Sequence, residues 1–143
     1  MPANLDRIRL WVEALESGEF QQGRHVLTEV LDDGSQRHCC LGVACIVAMR
    51  NGVQVKAEES EARIVDEDLG EDVERDVSVI RYDGQSDLPP QKVMGWFGLT
   101  ENPRLRTEGQ HLTRSASDLN DTERYTFEQI AQAIRLTYLE DGS

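Results

Sequence analysis

The sequence predicts an α+β domain in which a small helical core surrounds one buried central helix, residues 39–50, beside a small antiparallel β-sheet drawn from residues 53–82. Three observations carry this expectation. The run from His38 to Met49 has no formal charge and is apolar on every side, so other segments must wall it in. Leu5, Ile8, Trp11, Val12 and Leu15 recur at helical spacing, as do Phe127, Ile130, Ala131, Ile134 and Tyr138. Between these helical stretches, Val77-Ser78-Val79-Ile80-Arg81-Tyr82 has the alternation of a strand and ends at the Asp83-Gly84 turn.

In chain order, Asn4 caps a first helix over residues 4–17, and Ser17-Gly18 ends it. Phe20-Gln21-Gln22-Gly23 reads as a polar turn with one aromatic anchor, and His25 to Leu31 fits either a short strand or a helix. Asp32-Asp33-Gly34-Ser35 is a turn. The central run is too long for an ordinary strand and lacks a period of two, so it reads as helix, closed by Asn51-Gly52. Val53-Gln54-Val55, Ala62 to Val65 and Val77 to Tyr82 form the expected sheet. The stretch from Glu58 to Asp76, with ten acidic residues, reads as a small hairpin or sheet with an exposed acidic connection. Pro90 opens a short helix with Val93, Met94, Trp96 and Phe97, closed by Gly98. Residues 100–118 read as loop, with a short helix near 112–119. Thr126 with Gln129 forms a capping box for the last helix, with Tyr125 and Ile130 as its staple. The expected core is Trp11, Leu15, Cys40, Val43, Val47, Trp96, Phe97, Phe127, Ile130 and Ile134.

The chain has 143 residues and neither internal repeats nor a low-complexity linker, which predicts one domain. A net charge of −12 argues against direct nucleic-acid binding, since phosphate contacts need clustered Lys and Arg. The same charge admits a basic partner, a cationic ligand or mimicry of nucleic acid. No stretch is long and apolar enough for a membrane span, and the first residues lack the pattern of a secretion signal. Three cysteines, two of them adjacent, fit reduced thiols better than a disulfide framework.

Several pieces recur together in this order: Trp11-x-x-Ala14-Leu15-x-Ser17-Gly18-x-Phe20-x-Gln22-Gly23; Cys39-Cys40-Leu41-Gly42-Val43-x-Cys45; Leu88-Pro89 to Trp96-x-Gly98-Leu99; and Leu119-Asn120-Asp121 followed by Phe127-x-x-Ile130-Ala131-x-x-Ile134. They resemble a family of small uncharacterised proteins of tailed bacteriophages, including phages of actinobacteria. The cysteine element is the most specific piece, and residues 53–87 match least. The resemblance implies a phage product acting in the host cytoplasm. It implies no catalytic residue and no cofactor.

The candidate sites are few. A metal reading would use Cys39, Cys40, Cys45 and His38 or His25. On a helix, Cys40 and Cys45 lie about 140° apart and Cys39 and Cys40 about 100° apart, so the thiols diverge and no metal site is expected. Cys39 and Cys40 stand at the helix start, where a thiol is most easily activated, and are the candidate reactive thiols. Gly42 invites close approach of another element. Gln21, Gln22 and Gly23 present amides at a turn, and Asn120-Asp121 precede a capped helix; these five residues are the candidate ligand-binding set. The expected function is that of a non-enzymatic phage accessory protein that binds a host protein to alter physiology or defence. The alternatives are a small-molecule module that sequesters a ligand such as a nucleotide signal, an acidic DNA mimic, and, weakest, a cysteine- or metal-dependent enzyme.

Overall fold

The computed structural model describes residues 3–65, 73–107, 109 and 112–139. Its architecture is α+β. Helix α1 (Leu5–Glu16) is followed by three short strands, β1 (Gln21–Gln22), β2 (Thr28–Val30) and β3 (Gln36–His38). Helix α2 (Cys40–Arg50) leads to the long strands β4 (Ala57–Val65) and β5 (Glu74–Tyr82). Helix α3 (Gln91–Phe97), strands β6 (Arg104–Leu105) and β7 (Arg114–Ser115), and helices α4 (Ala116–Asp121) and α5 (Phe127–Ile134) complete it, with a π-helical turn at Arg135–Leu139. Among the described residues no helix is long and apolar enough to cross a membrane.

Helix α2 is the central element that its composition requires. Cys40, Leu41, Gly42, Val43, Ala44, Cys45, Val47 and Ala48 are all buried, so almost no face is left to solvent. Helices α1, α3 and α4 and strand β3 supply its walls, and α5 packs on α1 and α4, all joining one core around Trp11, Val43, Phe97, Leu119 and Ile130. Trp11 packs against Phe97 with ring centroids 5.7 Å apart, and its indole Nε1–H donates to the Cys40 carbonyl at 2.9 Å. That bond lets the largest core side chain bury its one polar atom. Trp96, expected in the core, is only half-buried; the Arg7 guanidinium lies 4.6 Å from its ring centre and covers its outer face.

The caps follow the local sequence. Asn4 accepts from the Arg7 amide, and the Thr126–Gln129 capping box is formed in both directions. The stripe of α5 ends differently from its helical spacing. The turn widens at residues 135–139, which buries Leu139 and leaves Tyr138 half-buried.

The sheet is larger than expected. It has five strands in the order β1-β3-β2-β5-β4, and β1 pairs parallel with β3 while the other pairs are antiparallel. The segment 21–38 therefore belongs to the sheet, and the Gln21–Gln22 "turn" is its edge strand. Residues 53–56 stay outside it, because the Val53 amide closes α2 by bonding the Ala48 carbonyl and Lys92 holds the Gln54 carbonyl. Ala116 to Asp121 forms the helix expected near 112–119, and Arg104–Leu105 pairs antiparallel with Arg114–Ser115 where a loop was expected. The acidic connection at 66–72 lies outside the described residues.

Opposed residues in a ladder share a face. Thr28, His38 and Tyr82 face the helices, whereas Glu29, Arg37 and Val79 face away, beside a second small apolar cluster of Val26, Ile64, Val77 and Val79. Strand β5 pairs with β2 only at Val79 and Ser78, yet it pairs with β4 along nine residues from Glu74 to Tyr82. The β4–β5 hairpin therefore projects past the end of β2, and a V-shaped cleft opens between it and the turn after β2.

Gly42 has the close contact that its position in a bulky helix suggested. A Cβ there would collide with the backbone of Leu27, whose carbonyl also accepts from the Cys39 amide at 3.1 Å. Backbone cannot step aside as a flexible side chain can, so Gly42→Ala is expected to destabilise by about 3 kcal/mol, the upper end of overpacking costs. Urea unfolding followed by circular dichroism measures this; a midpoint equal to the parent's would refute the contact.

Candidate functional site

The residues singled out in the sequence converge, but as an internal clamp. Asn120 is fully buried and uses its whole amide. Its Oδ1 accepts from the Cys40 amide at 3.2 Å and from Gln22 Nε2 at 3.0 Å. Its Nδ2 donates to the Gly23 carbonyl at 2.9 Å and to Asp121 Oδ1 at 2.8 Å. Gln22 Nε2 also donates to the Tyr125 carbonyl, and Asp121 Oδ1 also accepts from the His25 amide at 3.1 Å. An amide with two donors and two accepted bonds has no capacity left for a ligand. Asn120 is thus a support with no capacity left for a ligand, and Asp121 Oδ1 supports the backbone of residues 23–25 with it. Gln21 stands on the exposed edge strand β1.

The supported segment forms one wall of a notch. Gln22, Gly23, Arg24, His25, Arg37 and Arg75 line a space of about 60 Å³ with Glu29 at its base. Gly23 is required there, because a Cβ would lie 2.9 Å from Arg37 Cβ, and its amide bonds the His38 carbonyl at 2.7 Å. His25 has φ of +75°, a conformation uncommon for a residue with a Cβ. Glu29, only 4% exposed, accepts from Arg37 Nη2 at 2.9 Å through Oε1 and from Arg75 Nη1 at 3.1 Å through Oε2. The V-shaped cleft, a separate space of about 820 Å³, shares Glu29, Arg37 and Arg75 with the notch and is also lined by Leu31, Asp33, Glu61 and Ser78. The arginines were not among the sequence candidates. Their only sequence signal is that a chain of net charge −12 places basic residues at 24 and 37, flanking its polar turns.

The thiols occupy a different environment. Cys39, Cys40 and Cys45 are free and buried. Burial, with the charge of Asp121 behind it, pushes the Cys39 thiol up to about 12; burial also raises Cys40 and Cys45 well above the usual thiol range. A thiol so held stays protonated at neutral pH, so the activation expected of Cys39 and Cys40 at the helix start is overcome by desolvation. Among the described residues no three His, Cys, Asp or Glu side chains are placed to share a metal ion. His38 is also internal. Its Nδ1 lies 2.8 Å from Thr28 Oγ1, which lies 2.7 Å from the Tyr82 hydroxyl, and Phe20 stacks edge-on against the ring. Burial lowers its pKa to about 4 and raises that of Tyr82 to about 12.

Residues 6–138 match the family described as Domain of unknown function (DUF8296), and the chain belongs to that family. No curated protein and no solved structure matches it. The chemistry of the site therefore rests on its own geometry, and the titration of His38 checks the buried, helix-facing side of the same sheet. Between its folded value of about 4 and the ordinary 6.5, the unfolded chain binds a proton that the folded chain does not. Stability is thus fully present above 6.5 and falls as pH drops toward 4, by about 3 kcal/mol for the whole shift. Carboxylates held low by a partner, Glu19 by Arg50 and Asp83 by Lys92, lose their contribution lower on the scale. His38→Gln should flatten the limb between pH 6.5 and 5 in urea unfolding; an unchanged slope would remove His38 as its source.

Proposed function

We propose, for this member of the DUF8296 family, a non-enzymatic role: a binding module that captures a polar small molecule in the V-shaped cleft. The observation that carries this reading is a cleft and a notch that share Glu29, Arg37 and Arg75 in their lining. A volume of about 820 Å³ suits a ligand of metabolite size, and binding sites pair such volumes with a few placed polar groups. One wall is the paired β4–β5 hairpin and the other is the end of β2 with the turn at Leu31–Asp33, where Asp33 Oδ1 accepts from the Ser35 amide, so much of the site is preformed and little ordering cost attends binding. In an infected cell, the setting that the phage resemblance implies, such a module would lower the free concentration of a host signal or metabolite.

Capture of a host protein through the acidic hairpin takes second place. Several carboxylates that a basic partner would meet are already engaged within it, Glu58 with Lys56 and both Glu74 and Asp76 with Arg63. The DNA-mimic reading has the same weakness, and much of its acidic stretch lies at 66–72.

A thermal-shift panel of nucleotides, sugar phosphates, amino acids and neutral nucleosides at millimolar concentration tests the reading. A ligand present at a hundred times its Kd should stabilise by about 2.7 kcal/mol. Glu61→Trp, on an exposed strand position lining the cleft, should abolish that shift without lowering the melting temperature of the free protein. A flat response across the panel would sink it.

A further inference from the structure

We propose that the notch is an oxyanion site, in which Arg24 and Arg37 receive a phosphate or carboxylate group of the ligand whose body fills the cleft. This rests on the cleft being a ligand site, and it names the chemistry that the site selects.

Charge is the first reason. In a chain of net charge −12, the notch sets three guanidinium groups against one carboxylate. Glu29 already accepts from Arg37 at 2.9 Å through Oε1 and from Arg75 through both oxygens, at 3.4 Å and 3.1 Å. The second reason is unmet hydrogen bonding. The Nε–H groups of Arg24 and Arg37 are both buried and have no partner among the described residues. A buried donor left unpaired costs about 1–3 kcal/mol, and more when charged, so two of them on residues that line one notch mark guanidinium groups with hydrogen bonding still to be met there. Oxyanions suit them because a guanidinium presents a planar fork of donors that matches the oxygens of a phosphate or carboxylate.

Shape and support agree with this. A space of about 60 Å³ has the bulk of about two waters, so it admits one oxyanion group and excludes a whole ligand. The wall that carries Arg24 is fixed on both sides, by Asn120 Nδ2 on the Gly23 carbonyl and by Asp121 Oδ1 on the His25 amide. The uncommon backbone of His25 is held there by the same bonds, and such conformations concentrate where a site must be preorganised. Gly23 lets Arg37 lie directly against this wall.

Isothermal titration and thermal shift with inorganic phosphate and acetate, at constant ionic strength with chloride as reference, test the proposal. A nucleoside monophosphate beside its nucleoside adds a matched pair. Saturable stabilisation by phosphate or acetate is expected, and whichever of the two binds at least tenfold more tightly identifies the group. Removal of the phosphate from the nucleotide should cost at least tenfold if phosphate is preferred. Arg24→Gln should weaken anion binding at least tenfold, and Arg24→Lys, which keeps the charge without the Nε–H, should recover only part of it. Arg9→Gln, on the exposed face of α1, should change nothing. Arg24 makes no ion pair among the described residues, so its variants should fold; Arg37→Gln, which also loses the Glu29 bond, serves as a second variant. Anion affinity unchanged in Arg24→Gln and Arg37→Gln would overturn the proposal. Binding of neutral compounds in the cleft with no response to any anion would overturn it too, while leaving the cleft reading intact. Silence towards every compound would remove both.

Discussion

A helix that is buried on all sides must find partners for its first amides inside the protein, and this requirement shapes the molecule. Helix α2 begins at Cys39, whose side chain makes no capping bond. Solvent cannot reach its first turn, and an unpaired amide there would cost as much as a lost hydrogen bond. The acceptor comes from a distant part of the chain, as Asn120 Oδ1 on the Cys40 amide. The Leu27 carbonyl takes the Cys39 amide, which is possible only because Gly42 leaves room for that backbone. Trp11 completes the arrangement by donating to the Cys40 carbonyl. One buried turn thus gathers α1, α4 and the segment before β2.

The same amide links the core to the surface. Having used Oδ1 on α2 and Gln22, Asn120 uses Nδ2 on Gly23 and Asp121, and Asp121 holds the His25 amide. The wall of the notch is therefore anchored to the start of the central helix rather than to flexible surface chain. A notch tied in this way is preorganised, and a ligand bound as proposed would meet its arginines without first ordering a loop. The arrangement also explains why a polar residue is tolerated in full burial: every donor and acceptor it carries is matched.

The sequence was most legible where structure is decided locally. The period of α1 and α5, the Asn4 and Thr126 caps and the long strand Glu74–Tyr82 could all be read from neighbouring residues. Strands β1 and β3 could not, and β2 only as one of two alternatives over 25–31, because each is two or three residues long and exists through its partners rather than through its own alternation. The site divides in the same way. Gln22, Gly23, Asn120 and Asp121 were found because polar residues at turns attract notice, but whether such a residue faces a ligand or the interior depends on tertiary placement. Arg24, Arg37 and Arg75 lie on three separate segments, and only the pairing of β2 with both β3 and β5 brings Glu29 between two of them. The cysteines drew attention for their grouping, and burial assigns them to packing.

The most direct test of the shared anchor is amide hydrogen exchange in Asn120→Ala under native conditions. The account predicts that the Cys40 and His25 amides lose protection together, that global stability falls by about 3 kcal/mol, and that amides inside α5 keep protection matching the new global stability. Retained protection at Cys40 and His25, or a stability equal to the parent's, would contradict it.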